Sequence, residues 1–164
     1  YCHGYEIQNA KTGIFANGES GYDVVKLISN WTAGLTLFTN GASQLSEEQT
    51  IKLQEHKIGI IQKEITRLEH RNGYAERIHF TDRTSMPISA IYAPRPFEQH
   101  CKLPELIGCD LTDEGYLKID ASNETTVTGV FACGDNATRM RTLANAIAMG
   151  TVTGMMVSKK MILG

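Results

Sequence analysis

The chain has 164 residues, 41% hydrophobic and 21% charged, with a formal net charge of −2. That length fits one ordinary domain, or one small domain and part of another, and the composition is that of a globular protein. The charge balance gives no reason to expect nucleic acid or an anionic membrane as a partner, and no apolar run reaches the ~18 residues that a membrane span needs.

Residues 12–16 (TGIFA) read as a short buried strand, followed by a turn at Gly18-Glu19-Ser20-Gly21. Apolar residues at Val24, Val25, Leu27, Ile28 and Trp31 then repeat at helical spacing over 23–31. Leu35 to Thr39 reads as a second strand. Ser46, with Gln49 three residues on, has the pattern of a capping box opening a second, surface helix. Strand, helix, strand, helix predicts a parallel sheet with right-handed crossovers, and 58–61 supplies its third strand. The pattern then changes. Segments 65–71 and 75–81 flank Asn72-Gly73, a strong hairpin signal, so a β-hairpin or meander is expected on the sheet. Residues 88–92 return to it. Pro94 and Pro96 mark a boundary. Strands near 116–119 and 129–133 and a long helix over 142–161 complete the chain. The expected fold class is α/β, a Rossmann-like parallel sheet with an added meander, in two parts: 1–93 and 94–164.

The chain opens at Tyr1 without an initiator Met or a signal-peptide pattern, and reads as a piece of a longer protein. Its cysteines, Cys2, Cys101, Cys109 and Cys133, form no C-x-x-C pair and are few for a secreted disulfide scaffold. A cytoplasmic protein with free or redox-active thiols is the simplest account. The histidines show no metal-ligand spacing, and no metal is expected.

Three segments carry chemistry. The turn Ala16-Asn17-Gly18-Glu19-Ser20-Gly21 suits a dinucleotide fingerprint, in which glycines allow a tight turn, close approach of pyrophosphate and helix-on-strand packing. It equally suits an ordinary strand–turn–helix, since Ala16 stands where the first glycine belongs. Strand two ends in Thr39-Asn40-Gly41, with neither the acid that binds a ribose 2′-hydroxyl nor the base that binds a 2′-phosphate. In 126–135 (TVTGVFACGD) an apolar strand runs into Gly134-Asp135, which places a carboxylate where it could accept hydrogen bonds from sugar hydroxyls. A solvated aspartate in a turn is the bland alternative. Finally, Cys2 beside His3 pairs a thiol with a nearby base, a pairing also common by chance.

Taken in this order and spacing, the segments resemble the thioredoxin reductase family of pyridine nucleotide-disulfide oxidoreductases, over the whole chain. The most specific stretch, TTVTGVFACGDNA at 125–137, is similar to that family's FAD-binding segment. The resemblance implies that Asp135, next to Gly134, holds the ribitol of FAD and that Asn145-Ala146 begins the helix beneath the isoalloxazine ring. It implies that Gly18, Glu19, Ser20 and Gly21, with Thr39 and Asn40, line the NADPH site, and that 1–93 is the pyridine-nucleotide domain and 94–164 the C-terminal part of the FAD domain. YCHGYE resembles the end of the redox C-x-x-C motif. Cys2 would be the flavin-facing cysteine and His3, where typical members carry Asp, the acid/base.

Two departures from the family pattern matter. TNGASQL replaces its basic NADPH motif, and its N-terminal FAD-binding half is not in the chain, so the chain by itself is expected to bind FAD weakly and to form no redox disulfide within itself. The implied activity is electron transfer between NAD(P)H, FAD and a disulfide, with a thioredoxin-like protein or a small-molecule disulfide or dithiol as partner. A homodimer is implied for the full-length protein. The Cys-His-Gly-Tyr-Glu version resembles a side branch that includes dithiol oxidases, so a flavin enzyme passing electrons to oxygen is an alternative. A non-catalytic nucleotide-binding module is another.

Overall fold

A computed structural model describes residues 4–163 as two compact units, one up to Arg95 and the other from Pro96 onward.

The first unit is built on four parallel strands in the order β3-β2-β1-β7: β1 (Thr12–Phe15), β2 (Leu35–Phe38), β3 (Gly59–Ile61) and β7 (Ala90–Tyr92). The period-2 alternation of these strands divides their side chains between two cores. Ile14, Leu35 and Leu37 join Val25 and Ile28 of α1 (Gly18–Ile28) and Leu53 of α2 (Glu47–Glu55) on one face. Phe38 turns to the other face, where Ile78, Phe80 and Ile88 cluster with it. Gly13 makes room there, because a Cβ at that position would stand 2.8 Å from the Phe38 ring.

That second face is covered by an antiparallel meander of β4 (Ile65–Arg71), β5 (Tyr74–Phe80) and β6 (Ser85–Pro87). Asn72 and Gly73 both take positive φ (+51° and +86°), the conformation a two-residue hairpin turn demands. The capping box is formed: Gln49 N–H donates to Ser46 Oγ at 3.1 Å, and Ser46 N–H donates to Gln49 Oε1 at 2.9 Å.

Several elements differ from the sequence reading. The first helix starts at Gly18 rather than 23, because Asn17 caps it and its first turn continues the fingerprint loop. Residues 85–87 form a strand through pairing with β5, a tertiary effect on a segment too short to show a period. In the second unit the expected strands at 116–119 and 129–133 are single bridges, Leu111↔Leu117, Ile119↔Thr125 and Glu124↔Phe131. Left-handed turns at Asn123 (φ +63°) and Gly129 (φ +84°) interrupt any longer ladder.

The second unit also contains α3 (Leu103–Leu106) and α4 (Leu143–Leu163). Its small core is Cys109, Leu117 and Ala132, with Leu111, Ile119, Val127 and Val130 packed around them. Asn123 ties α4 to this core by donating from Nδ2 to the Met149 carbonyl and to Thr153 Oγ1. Lys160, near the far end of α4, pairs with Glu124. Among the described residues, no helix is long and apolar enough to cross a membrane.

Candidate functional site

In the first unit the residues of the fingerprint turn and of the segment after the second strand lie at the carboxyl ends of β1 and β2. A cleft of about 410 Å³ opens there, lined by Phe15, Ala16, Asn17, Thr39, Asn40 and Arg95 among others. This is the end of a parallel sheet at which α/β folds bind ligands. Gly18 is buried with φ +58°, a conformation natural to glycine. Gly21 is buried because α1 passes close to β1: a Cβ there would meet the Ala16 backbone at 3.2 Å and Leu37 at 3.3 Å. These two glycines therefore serve the turn and the helix packing of a fingerprint. Glu19 and Ser20 are exposed on the first turn of α1, and the Glu19 carboxylate accepts a 2.6 Å hydrogen bond from Gln49 Nε2.

The turn and the loop after β2 are joined through one side chain. Asn17 Oδ1 accepts from Gly18 N–H at 2.9 Å and from Gln44 N–H at 2.8 Å. Its Nδ2 donates to the carbonyls of Thr39 (3.3 Å) and Ala42 (2.9 Å). The loop is held from its other side as well. Gly41 N–H donates to the Gln62 carbonyl, Ser43 N–H to Gln62 Oε1, and Ile65 N–H to Asn40 Oδ1. Asn17 was visible in the sequence as part of the turn, and asparagine is a favoured N-cap. Its cross-loop role depends on the fold. Arg95 provides the positive charge of this cleft, a residue that sequence reasoning passed over.

In the second unit, Gly134 and Ala146 are brought together. Gly134 is buried with φ +80°, and a Cβ on it would lie 3.7 Å from the Ala146 Cβ. Asp135 follows on the surface and makes no hydrogen bond or ion pair among the described residues. Thr142 caps α4, its Oγ1 accepting from Asn145 N–H at 3.2 Å. The Asn145 side chain turns back and donates to the Met140 carbonyl at 3.0 Å. The approach to α4 is braced by Arg141, whose guanidinium lies 4.2 Å from the Phe97 ring centroid and reaches the Tyr116 hydroxyl at 3.3 Å.

These features fit the ribitol and ring end of a flavin. The open side of Gly134 is a cradle that a Cβ would fill, Asp135 is an unengaged acceptor for hydroxyls, and the α4 terminus leaves the Leu143 and Ala144 N–H groups for an electron-rich ring edge, those of Asn145 and Ala146 being held by Thr142. The first-unit cleft fits the adenosine phosphates of NADPH poorly. Its loop after β2 has no cation, and the Asn17 side chain is engaged with the Gly18 and Gln44 N–H groups and the Thr39 and Ala42 carbonyls.

Cys2 and His3 lie outside the described residues. Just beyond them Gly4 packs on Trp31 so closely that a Cβ would come within 2.5 Å of the indole. No group of three or more His, Cys, Asp or Glu is arranged to hold a metal among the described residues.

Residues 21–150 match the family model described as pyridine nucleotide-disulphide oxidoreductase. The chain is 26% identical to thioredoxin reductase tcpT of Claviceps purpurea, over 99% of this chain and 53% of that one. It is 24% identical to a thioredoxin reductase of Gibberella zeae, over 92% of this chain and 47% of that one. The chain thus spans about half the length of these curated relatives. A solved oxidoreductase from Agrobacterium tumefaciens superposes with a TM-score of 0.86 at 23% identity, covering 98% of this chain and 54% of that one. That likeness shows the fold, an α/β architecture of the FAD/NAD(P)-binding kind.

Proposed function

The chain belongs to the pyridine nucleotide-disulphide oxidoreductase family, and on that premise we propose that it serves a flavin-linked thiol–disulfide oxidoreductase with FAD held by the second unit. The observation that carries this reading is the meeting of Gly134 and Ala146 beside the unengaged Asp135 carboxylate. Asp135 accepts hydrogen bonds from the ribitol hydroxyls. Gly134 lets the ligand approach the backbone, and the first N–H groups of α4 stabilise negative charge on the ring. When bound, the flavin supplies a two-electron acceptor or donor to a nearby thiol pair. The names of the relatives support the same class of chemistry.

Cys2 is the thiol that faces the cofactor in this reading, and His3 holds the proton released as a thiol becomes a thiolate. A histidine suits that task, with an unperturbed pKa near neutrality. The physiological partner is a dithiol or disulfide, either a small molecule or a thioredoxin-like protein.

The direction favoured is dithiol oxidation. Two thiols lose two protons and two electrons to become a disulfide, and dioxygen takes up both to become hydrogen peroxide. The absence of any cation in 39–45 supports this direction over NADPH-driven reduction. One observation favours NADPH: Arg95 lines the first-unit cleft and could meet a phosphate.

The test follows the flavin's visible band in FAD-loaded protein under anaerobic conditions. Bleaching by dithiothreitol, reversed by air with release of one peroxide per disulfide, supports the oxidase direction. Rapid bleaching by NADPH supports the reductase direction. Bleaching by neither overturns the thiol–flavin reading.

A further inference from the structure

We infer that Asn17 is a latch that closes the pyridine-nucleotide cradle of the first unit, so that this chain binds neither NADPH nor NADH there. The inference rests on reading the residues up to Arg95 as the family's nucleotide-binding unit.

A dinucleotide site of this type works by leaving backbone N–H groups at a helix N-terminus free for phosphate, and by offering an acid or a cation after the second strand for the ribose end. The first requirement is met only in part and the second is unmet. At the helix, Gly18 N–H is taken by the Asn17 side chain at 2.9 Å and Gly21 N–H by the Asn17 carbonyl at 3.3 Å. The remaining first-turn donors, on Glu19 and Ser20, are accompanied by the Glu19 carboxylate, whose charge opposes an approaching phosphate.

The loop after β2 is equally engaged. Thr39 and Gly41 donate their N–H groups to the Ile61 and Gln62 carbonyls. Ser43 donates to the Gln62 side chain, Gln44 to Asn17 and Leu45 to Ser43 Oγ. Gln44 lies over the turn, its Cβ 3.6 Å from where a Gly18 Cβ would stand.

Asn17 is suited to this role because it both accepts and donates. Its carbonyl oxygen draws two N–H groups together, and its amide nitrogen draws two carbonyls. A ligand that used the Gly18 or Gln44 N–H would have to displace the Asn17 side chain from bonds already made. Among the described residues Arg95 is the single cation lining the cleft, and it follows β7 rather than β2.

The experiment is a ¹H–¹⁵N spectrum of the 164-residue chain titrated with NADPH and then with NADH, coupled to amide hydrogen exchange in Asn17→Ala and Asn17→Asp. The expected wild-type result is no shift at residues 17–21 or 39–45 with either nucleotide. In Asn17→Ala the Gln44 and Gly18 amides should exchange about ten-fold faster, since each loses its acceptor. In Asn17→Asp the shared Oδ1 acceptor survives while the donors to the Thr39 and Ala42 carbonyls are lost, so those two amides should stay better protected than in Asn17→Ala. This second variant keeps the test sound if the alanine variant folds poorly. Saturable shifts at 17–21 with either nucleotide would overturn the inference, as would unchanged Gln44 exchange in Asn17→Ala. Failure of the flavin reading is scored separately, on second-unit amides with FAD as the probe.

Discussion

Substituting Gly134 by alanine probes the flavin cradle, with Gly129→Ala as its control. Both glycines sit in the left-handed region, at φ +80° and +84°, where an L-residue is strained by ~1–2 kcal/mol. Neither substitution causes a clash. A Cβ at 134 would make an ordinary 3.7 Å contact with Ala146, and at 129 nothing lies within 4 Å. Both variants should therefore lose a similar ~1–2 kcal/mol of stability from strain alone, read as a fall in urea midpoint at constant slope. They should differ in ligand binding. A methyl at 134 fills the space between the Gly-Asp turn and α4, so FAD affinity should fall about ten-fold or more, the equivalent of ~1.4 kcal/mol. A methyl at 129 should leave affinity within about two-fold, because it lies away from that space. Equal effects of the two variants on FAD binding would refute the reasoning, since strain would then be the whole effect.

Phe38 is fully buried, edge-on to Phe15 at 5.4 Å and stacked on Phe80 at 6.1 Å. Phe38→Ala should cost ~3–5 kcal/mol in denaturant unfolding and raise hydrogen exchange in β5. In the meander, the Lys63 ammonium, helped by the Thr84 hydroxyl and N–H, lowers the Asp82 carboxyl to about 2. A depressed folded-state pKa gives stabilisation that is present above the ordinary value, ~3.9, and is lost as pH falls through about 2. Side-chain NMR titration should show that low midpoint, rising toward the ordinary value in Lys63→Gln. Asn123→Ala removes both bonds to α4 and leaves alanine at φ +63°. The expected loss is ~2–4 kcal/mol, with faster exchange at Met149 and Thr153.

Much of the first unit was legible because its signals are local. The apolar strands at 12–15 and 35–38, the Ser46–Gln49 capping box and the Asn72-Gly73 turn each contain their own physical reason. The start of α1 was misplaced because glycines are poor helix formers, and the sequence alone does not show that Gly21 is needed for close approach to Ala16. The strand at 85–87 and the short α3 contain a proline each and too few residues for a period. In the second unit, apolar spacing suggested strands, but positive φ at Asn123 and Gly129 leaves only bridges.

The candidate site divides the same way. The fingerprint glycines and Gly134-Asp135 could be picked out as motifs. The Asn17 latch could not, because its partners Thr39, Ala42 and Gln44 reach it only once β1 and β2 lie side by side. Arg95 carries no motif and gains interest only from the cleft it lines.

The most direct test of the central claim is a ¹H–¹⁵N titration of the chain with FAD. FAD held by the second unit should give saturable shifts at the amides of 134–136 and 143–146. Shifts absent there, or confined to the turn at 16–21, would contradict it.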